Sequence, residues 1–221
     1  MWWRRLIWIR ILVFVALLAD GRAVAAPLPS GAKNPSAPPL APKIKQVDAD
    51  NRTIILNRPG YISVVIGTSE DSQDSARRAG EAMYPFQGRP DFQLVVVVDL
   101  RDSIAAWVPS IVIDHMRRSL DQEALELKPF FLANGNKENP RRYLHVIPDF
   151  KGTVVPVFNW SGTPDELHGT MFGPDGRELK RWENIDDMAK FQGEVRAALQ
   201  AYVASREKAY AAQKQKPPAA K

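Results

Sequence analysis

Residues 67–78, GTSEDSQDSARR, crowd Thr68, Ser69, Asp71, Ser72, Asp74, Ser75 and Arg77 into one turn between an apolar run and a helix signal. Hydroxyls and carboxylates this close suggest two roles. One is nucleophilic. A serine attacks only with a base beside it, because its hydroxyl is not appreciably ionised at neutral pH. His115, His145 and His168 lie in three separate segments, and the sequence places none of them next to Ser72 or Ser75. The other role is structural. Ser and Asp satisfy free N–H groups at a helix start, and acids suit the positive end of its dipole. Capping is the expectation for this turn.

A second set of candidates sits where apolar runs end. Asp99 closes FQLVVVVD, Asp102 follows it, and Asp149 closes YLHVIPD. In open α/β sheets, ligands bind beyond the carboxyl ends of parallel strands. Oxygens of Asp71, Asp99, Asp102 and Asp149 converging there would suit a hard cation such as Mg²⁺ or Ca²⁺. The sequence has no fixed metal-binding spacing such as an EF-hand loop, and its histidines lack zinc-type pairing. Strand termination and capping is therefore the expected role of these aspartates too, with no metal and no cofactor. Trp107, Trp160 and Trp182 are scattered and read as core or edge packing.

The chain has 221 residues and no cysteine. The nucleophile of disulfide exchange is a thiolate, so this chain performs no thiol chemistry. Its first residues run basic MWWRRLIWIR, apolar ILVFVALLA, then DGRAVAA with small residues. That is the layout of a secretory signal. Residues 1–25 are expected to be removed after Ala25, and the protein to be exported to a bacterial periplasm or secreted. Ile11–Ala19 is shorter than the roughly 20 residues that span a bilayer, so no stable transmembrane span is expected after cleavage.

The formal charge of +5 is unevenly spread. Residues 1–25 carry +3, 26–45 carry +3 and 206–221 carry +4, so 46–205 carries −5. A nucleic-acid binder concentrates positive charge on its folded domain, so nucleic acid is excluded as a partner. Residues 26–45 are a Pro/Ala-rich linker, 46–205 the folded domain, and 206–221 a basic disordered tail.

Within the domain, strand and helix signals alternate. KIKQVDADNRTIIL reads as two short strands around DADN, and YISVVIGT as a buried strand. A helix over about 72–85 follows, then the strand FQLVVVVDL. A second helix runs from Pro109 to about Glu126, and PFFLANGNKENPRR reads as a loop. YLHVIPD is a strand and GTVVPVFNW a short helical turn. LHGTMFGPDGRELKRW is a hairpin turning on GPDG. Asn184 is expected to cap a last helix whose stripe includes Ile185, Met188, Phe191, Val195, Leu199 and Tyr202.

This order, with VDADNRTIIL, VVIGTSEDSQDSARR, HVIPDFKGTVVPVFNW and GTMFGPDGRELKRW in sequence, resembles the thioredoxin-like superfamily. The pattern is most similar to its peroxiredoxin and thiol-specific-antioxidant branch and covers most of 46–203. The resemblance implies an α/β, thioredoxin-like three-layer fold. It has a mixed central sheet, flanking helices and a C-terminal β-hairpin plus helix. It also implies a reactive cysteine at the start of the first helix. That position falls near Glu70, Asp71 or Ser72, with Ser72 preferred and Ser75 in the place of the second cysteine. The family's cis-proline falls near Glu166 or Leu167, neither of them proline, and Pro164 is displaced. Both parts of the redox site are missing.

The expected function is binding or scaffolding, without catalysis. The surface of Thr68, Ser69, Asp71, Ser72, Asp74, Ser75 and Arg77 would hold a protein or small ligand of the cell envelope. One alternative is a metal- or serine-dependent enzyme working at Asp99, Asp102, Asp149 and Ser72. Another is a structural envelope protein whose linker and basic tail touch anionic surfaces.

Overall fold

The computed structural model describes residues 40–103, 107–160 and 165–214, with side chains of the last helix described to Ala211. The segments expected to form the export signal, most of the linker (26–39) and the tail end (215–221), together with Pro164, lie outside them.

Continuous β-branched runs suit strands covered on both faces, and they build the sheet's centre. Strand β3 (Ile62–Thr68) is buried along its whole length. It pairs in parallel with β4 (Phe92–Asp99), which pairs in parallel with β5 (His145–Asp149). On the other side β6 (His168–Phe172) runs antiparallel to β3, and β7 (Glu178–Trp182) antiparallel to β6. The order is β5-β4-β3-β6-β7. A separate hairpin of β1 (Lys45–Val47) and β2 (Thr53–Ile55) precedes it.

Side chains alternate across a strand, and the two sheet faces have different covers. Ile62, Val64 and Ile66 pack with Ala79 and Met83, at the first helix, and with Phe191, Val195 and Leu199 of the last. These helices are α1 (Gln73–Ala82) and α3 (Met188–Lys214). Val98 and Val146 share the face of Leu94 and meet α2 (Pro109–Ala133). Val65, Val95, Val97 and Ile147 point the other way, under Ile54 and Leu56 of the hairpin segment and Phe158 of a 3-10 turn at Val155–Phe158. The three layers are thus helices, mixed sheet, and hairpin plus turn. This is the α/β class expected, with its long helices gathered on one face.

Three local expectations are corrected. Helix α2 does not stop near Glu126 but continues through Pro129 to Ala133. An interior proline costs about 3 kcal/mol. Leu127 and Phe131 flank it and are each 1% exposed, and burying two such side chains returns about 1.5–3 kcal/mol apiece. Asn134 then ties the helix end down by donating to the carbonyls of Pro85 and Gln87. The cap of α3 is Asp187, whose Oδ1 accepts from the Lys190 N–H at 2.9 Å. Asn184 instead accepts from the Leu167 N–H, and Ile185 is buried ahead of the helix.

The third correction concerns the ends of the folded unit. The compact unit begins at Leu40, so its start precedes residue 46. Buried Asn57 holds this entry, donating to the Pro42 carbonyl and accepting from the Ile44 N–H. At the other end α3 runs to Lys214, past the expected start of a disordered tail at 206.

Candidate functional site

The turn after β3 is closed on itself. Ser72 is 1% exposed and Thr68 6%. Ser72 Oγ accepts from the Ser69 N–H at 2.9 Å and lies 3.0 Å from Thr68 Oγ1. Thr68 Oγ1 donates to the Ser69 carbonyl, so the Ser72 hydroxyl donates to Thr68. Ser72 stands at the N-cap position of α1, yet its side chain makes no cap bond; it bonds back to the strand end instead. Ser69 Oγ in turn accepts from the Asp71 N–H. The partners of Ser72 Oγ are thus Thr68 and Ser69, with no histidine or carboxylate among them.

The solvent side of the turn is made by other residues. Glu70, Asp71, Asp74 and Arg77 are exposed. Arg77 pairs with Glu81 at 2.6 Å, and Arg78 donates to Ser75 Oγ. Asp74 lies in the first turn of α1, where its charge suits the helix dipole. Of the seven residues expected to form one surface, Thr68 and Ser72 are therefore inside.

One histidine does approach the turn. His168 opens β6 and stands opposite Gly67 in the sheet register. Its ring lies on the hairpin side, stacked at 5.9 Å and 14° on Trp160, which stacks on Phe158 at 4.4 Å. Trp160 lies flat over Gly67, so a Cβ there would come within 2.3 Å of the indole. Trp160 Nε1 donates to Thr170 Oγ1 at 3.1 Å. His168 Nδ1 is buried without a hydrogen-bond partner. His115 is on α2, and His145 opens β5.

The strand-end aspartates are neighbours, since Asp99 and Asp149 share a register position. Their oxygens are engaged separately. Asp149 is 3% exposed. Its Oδ1 accepts from the Thr153 N–H and hydroxyl, and its Oδ2 from the Val154 and Val155 N–H groups. It caps the 3-10 turn. Asp99 binds the Arg101 guanidinium, which it holds above its ordinary basicity by hydrogen bonding. Asp102 is exposed in the following turn. Among the described residues, no group of three His, Asp or Glu side chains is placed to hold a metal ion.

A further polar cluster, which the sequence reading missed, joins the β1–β2 turn to β5. Asp48, with a side chain 1% exposed, accepts from the Asp50 and Arg52 N–H groups and the Arg52 guanidinium. It also bonds His145 Nδ1 at 3.0 Å. Arg141 makes a two-point bond to Asp50 and a third to Asp121. That bond holds the Asp50 carboxyl below its ordinary value. Burial holds His145 below its ordinary value, against the opposing pull of Asp48. The cluster fastens the turn between β1 and β2 to the start of β5, where the Ala49 N–H donates to the Val146 carbonyl. Its sequence signal was DADNR beside PRRYLH, acids and arginines flanking two strand starts.

The tryptophans divide. Trp160 and Trp182 are packed as expected, Trp182 edge-on to Phe191 at 4.9 Å. Trp107 is 86% exposed, so the packing expected for it is corrected.

No protein-family model and no curated protein matches the chain. Solved structures do match. A candidate thioredoxin from Neisseria meningitidis is 16% identical, with 72% of this chain and 89% of that one covered, at a TM-score of 0.49. DsbF of MTB is 13% identical over 70% and 94%, at 0.46. The exposed lipoprotein thioredoxin Etrx1 from Streptococcus pneumoniae is 9% identical over 71% and 99%, at 0.45. At such identities and scores the likeness carries no argument about activity. The fold class rests on the chain's own sheet order and helix placement.

Proposed function

We propose that this chain is an exported, cysteine-free thioredoxin-like domain that works by binding rather than catalysis. Its binding face is the solvent side of the turn after β3. The observation that carries this reading is the closed Ser72 hydroxyl, which bonds only Thr68 and Ser69 and has no base beside it. A chain without thiols, and with its best-placed hydroxyl sealed, keeps a shaped surface without a free nucleophile at the start of the first helix. In sequence pattern the domain stands nearest the peroxiredoxin-like branch. The N-terminal signal layout supports export to the bacterial envelope.

The test is affinity capture from cell-envelope extract with residues 26–221, beside a variant carrying Asp71→Lys, Asp74→Lys and Arg77→Glu. All three side chains are exposed, and an unchanged circular-dichroism spectrum verifies that the variant is folded. One stoichiometric partner, lost with the variant, is the expected result. Identical capture by both proteins removes the turn as the site.

A further inference from the structure

We infer that the strand-end surface takes a cationic peptide segment of a partner protein, whose apolar anchor lies on Trp107 and Ile111. This inference rests on the binding role proposed above and names the partner's chemistry.

Trp107 is 86% exposed, Ile111 63% and Val108 40%. A large aromatic is ordinarily packed, and tryptophan is the residue most enriched at binding hot spots. The cause of the exposure is geometric. Val112 and Met116 of α2 pack with Val98 and Leu100 at the end of β4, which leaves Ile111 on the outward side, and Trp107 stands just ahead of the helix N-cap Val108. The same packing sets the start of α2 at the carboxyl end of β4. There Ser103 Oγ donates to the Glu70 carboxylate, fastening the loop after β4 to the turn before α1. The apolar pair and the turn are thus parts of one end of the sheet.

The charge around this pair selects the occupant. Glu70, Asp71, Asp74 and Asp102 are exposed there. Of the nearby arginines, Arg77 is paired with Glu81 and Arg101 with Asp99, while Arg78 donates to the neutral Ser75 hydroxyl and keeps a charge that these four carboxylates outnumber. An apolar patch with an acidic rim fits a segment with Lys or Arg on either side of an apolar residue, since interfaces pair opposite potentials. A second copy docking by the same face would set acid against acid. Anionic polymers are repelled for the same reason.

The test selects a displayed library of random linear peptides against the whole protein. The enriched peptides, made synthetically, are then measured against two variants, Trp107→Ala/Ile111→Ser and Asp71→Lys/Asp102→Lys. All four side chains are exposed, and unchanged melting temperatures verify the fold. The expected peptides carry Lys or Arg around an aliphatic or aromatic residue and lose at least tenfold in affinity to each variant. Loss with the charge variant alone overturns the Trp107 anchor and leaves the turn as a binding site. Loss with the apolar variant alone, or acidic peptides, overturns the cationic class. Failure to enrich any peptide overturns the inference, and the turn then stands or falls on the envelope capture alone. Dimerisation abolished by deleting 206–221 reassigns the face to the basic end of a second copy.

Discussion

Ser72 Oγ and Thr68 Oγ1 lie 3.0 Å apart at the end of β3, and together they seal the turn that leads into α1. Ser72 is 1% exposed while Asp71, one residue earlier, is exposed. A cysteine is a near-isosteric reporter of this difference, because thiol reactivity needs access and ionisation. Ser72→Cys is expected to react with an aromatic disulfide reagent only on unfolding, and Asp71→Cys at once in the native protein. Prompt native reaction of the Ser72→Cys thiol would show that the turn is open, and would reopen a chemical role for position 72.

The contact of Trp160 with Gly67 gives a second expectation. A methyl group at 67 would meet the indole at 2.3 Å, so the ring must leave its place between Phe158 and His168. Overpacking of this kind costs about 1–3 kcal/mol. Gly67→Ala is expected to lower the melting temperature and shift the tryptophan emission to the red. An unchanged spectrum would mean that Trp160 does not rest on the strand.

These two contacts mark what was legible in the sequence. The β-branched runs at 62–68 and 92–99 and the GPDG turn announce their elements, because periodicity and turn chemistry are local. Two features that depend on distant partners were hidden. The length of α2 depends on Phe131 packing under Gly88, which overrides the break that Pro129 signals. Asp48 and His145 meet across 97 residues, and neither segment alone indicates the pairing. At the candidate site the sequence identified Ser72 and the strand-end aspartates but not which side chains face inward. It read Trp107 as packed because tryptophan usually is, whereas the residue stands exposed just ahead of the N-cap of α2.

Asp149 caps the 3-10 turn at Val155–Phe158. Its removal leaves the N–H groups of Thr153, Val154 and Val155 without their acceptor. An unsatisfied buried group costs about 1–3 kcal/mol, more where a charged partner is lost. Asp149→Ala is therefore expected to destabilise the domain by at least about 2 kcal/mol in urea unfolding. Addition of Mg²⁺, Ca²⁺ or EDTA should leave the wild-type melting temperature unchanged. A metal-dependent rise, absent in Asp149→Ala, would restore the cation site.

The cluster at the start of β5 makes stability depend on pH, with a definite sign. Burial depresses the His145 pKa below its ordinary 6.5, with Arg52 and Arg58 adding to the depression and Asp48 opposing it. The unfolded chain then binds the proton more readily than the fold, so stability rises with pH where the two states differ. The contribution is fully present above about pH 6.5 and is lost as pH falls from there toward the folded value. Glu123, lifted by burial, moves stability the opposite way as pH rises above its ordinary 4.5. The clean measurement is therefore the difference between wild type and His145→Gln in urea unfolding at a series of pH values. A wild-type excess in slope as pH falls below about 6.5 is the expected result. Asp50, held low by Arg141, acts in a separate window: its contribution is present above its ordinary 3.8 and fades below it. Arg141→Ala should remove that lower step and leave the His145 step in place. Parallel curves for wild type and His145→Gln would mean that the imidazole keeps its ordinary proton affinity in the fold.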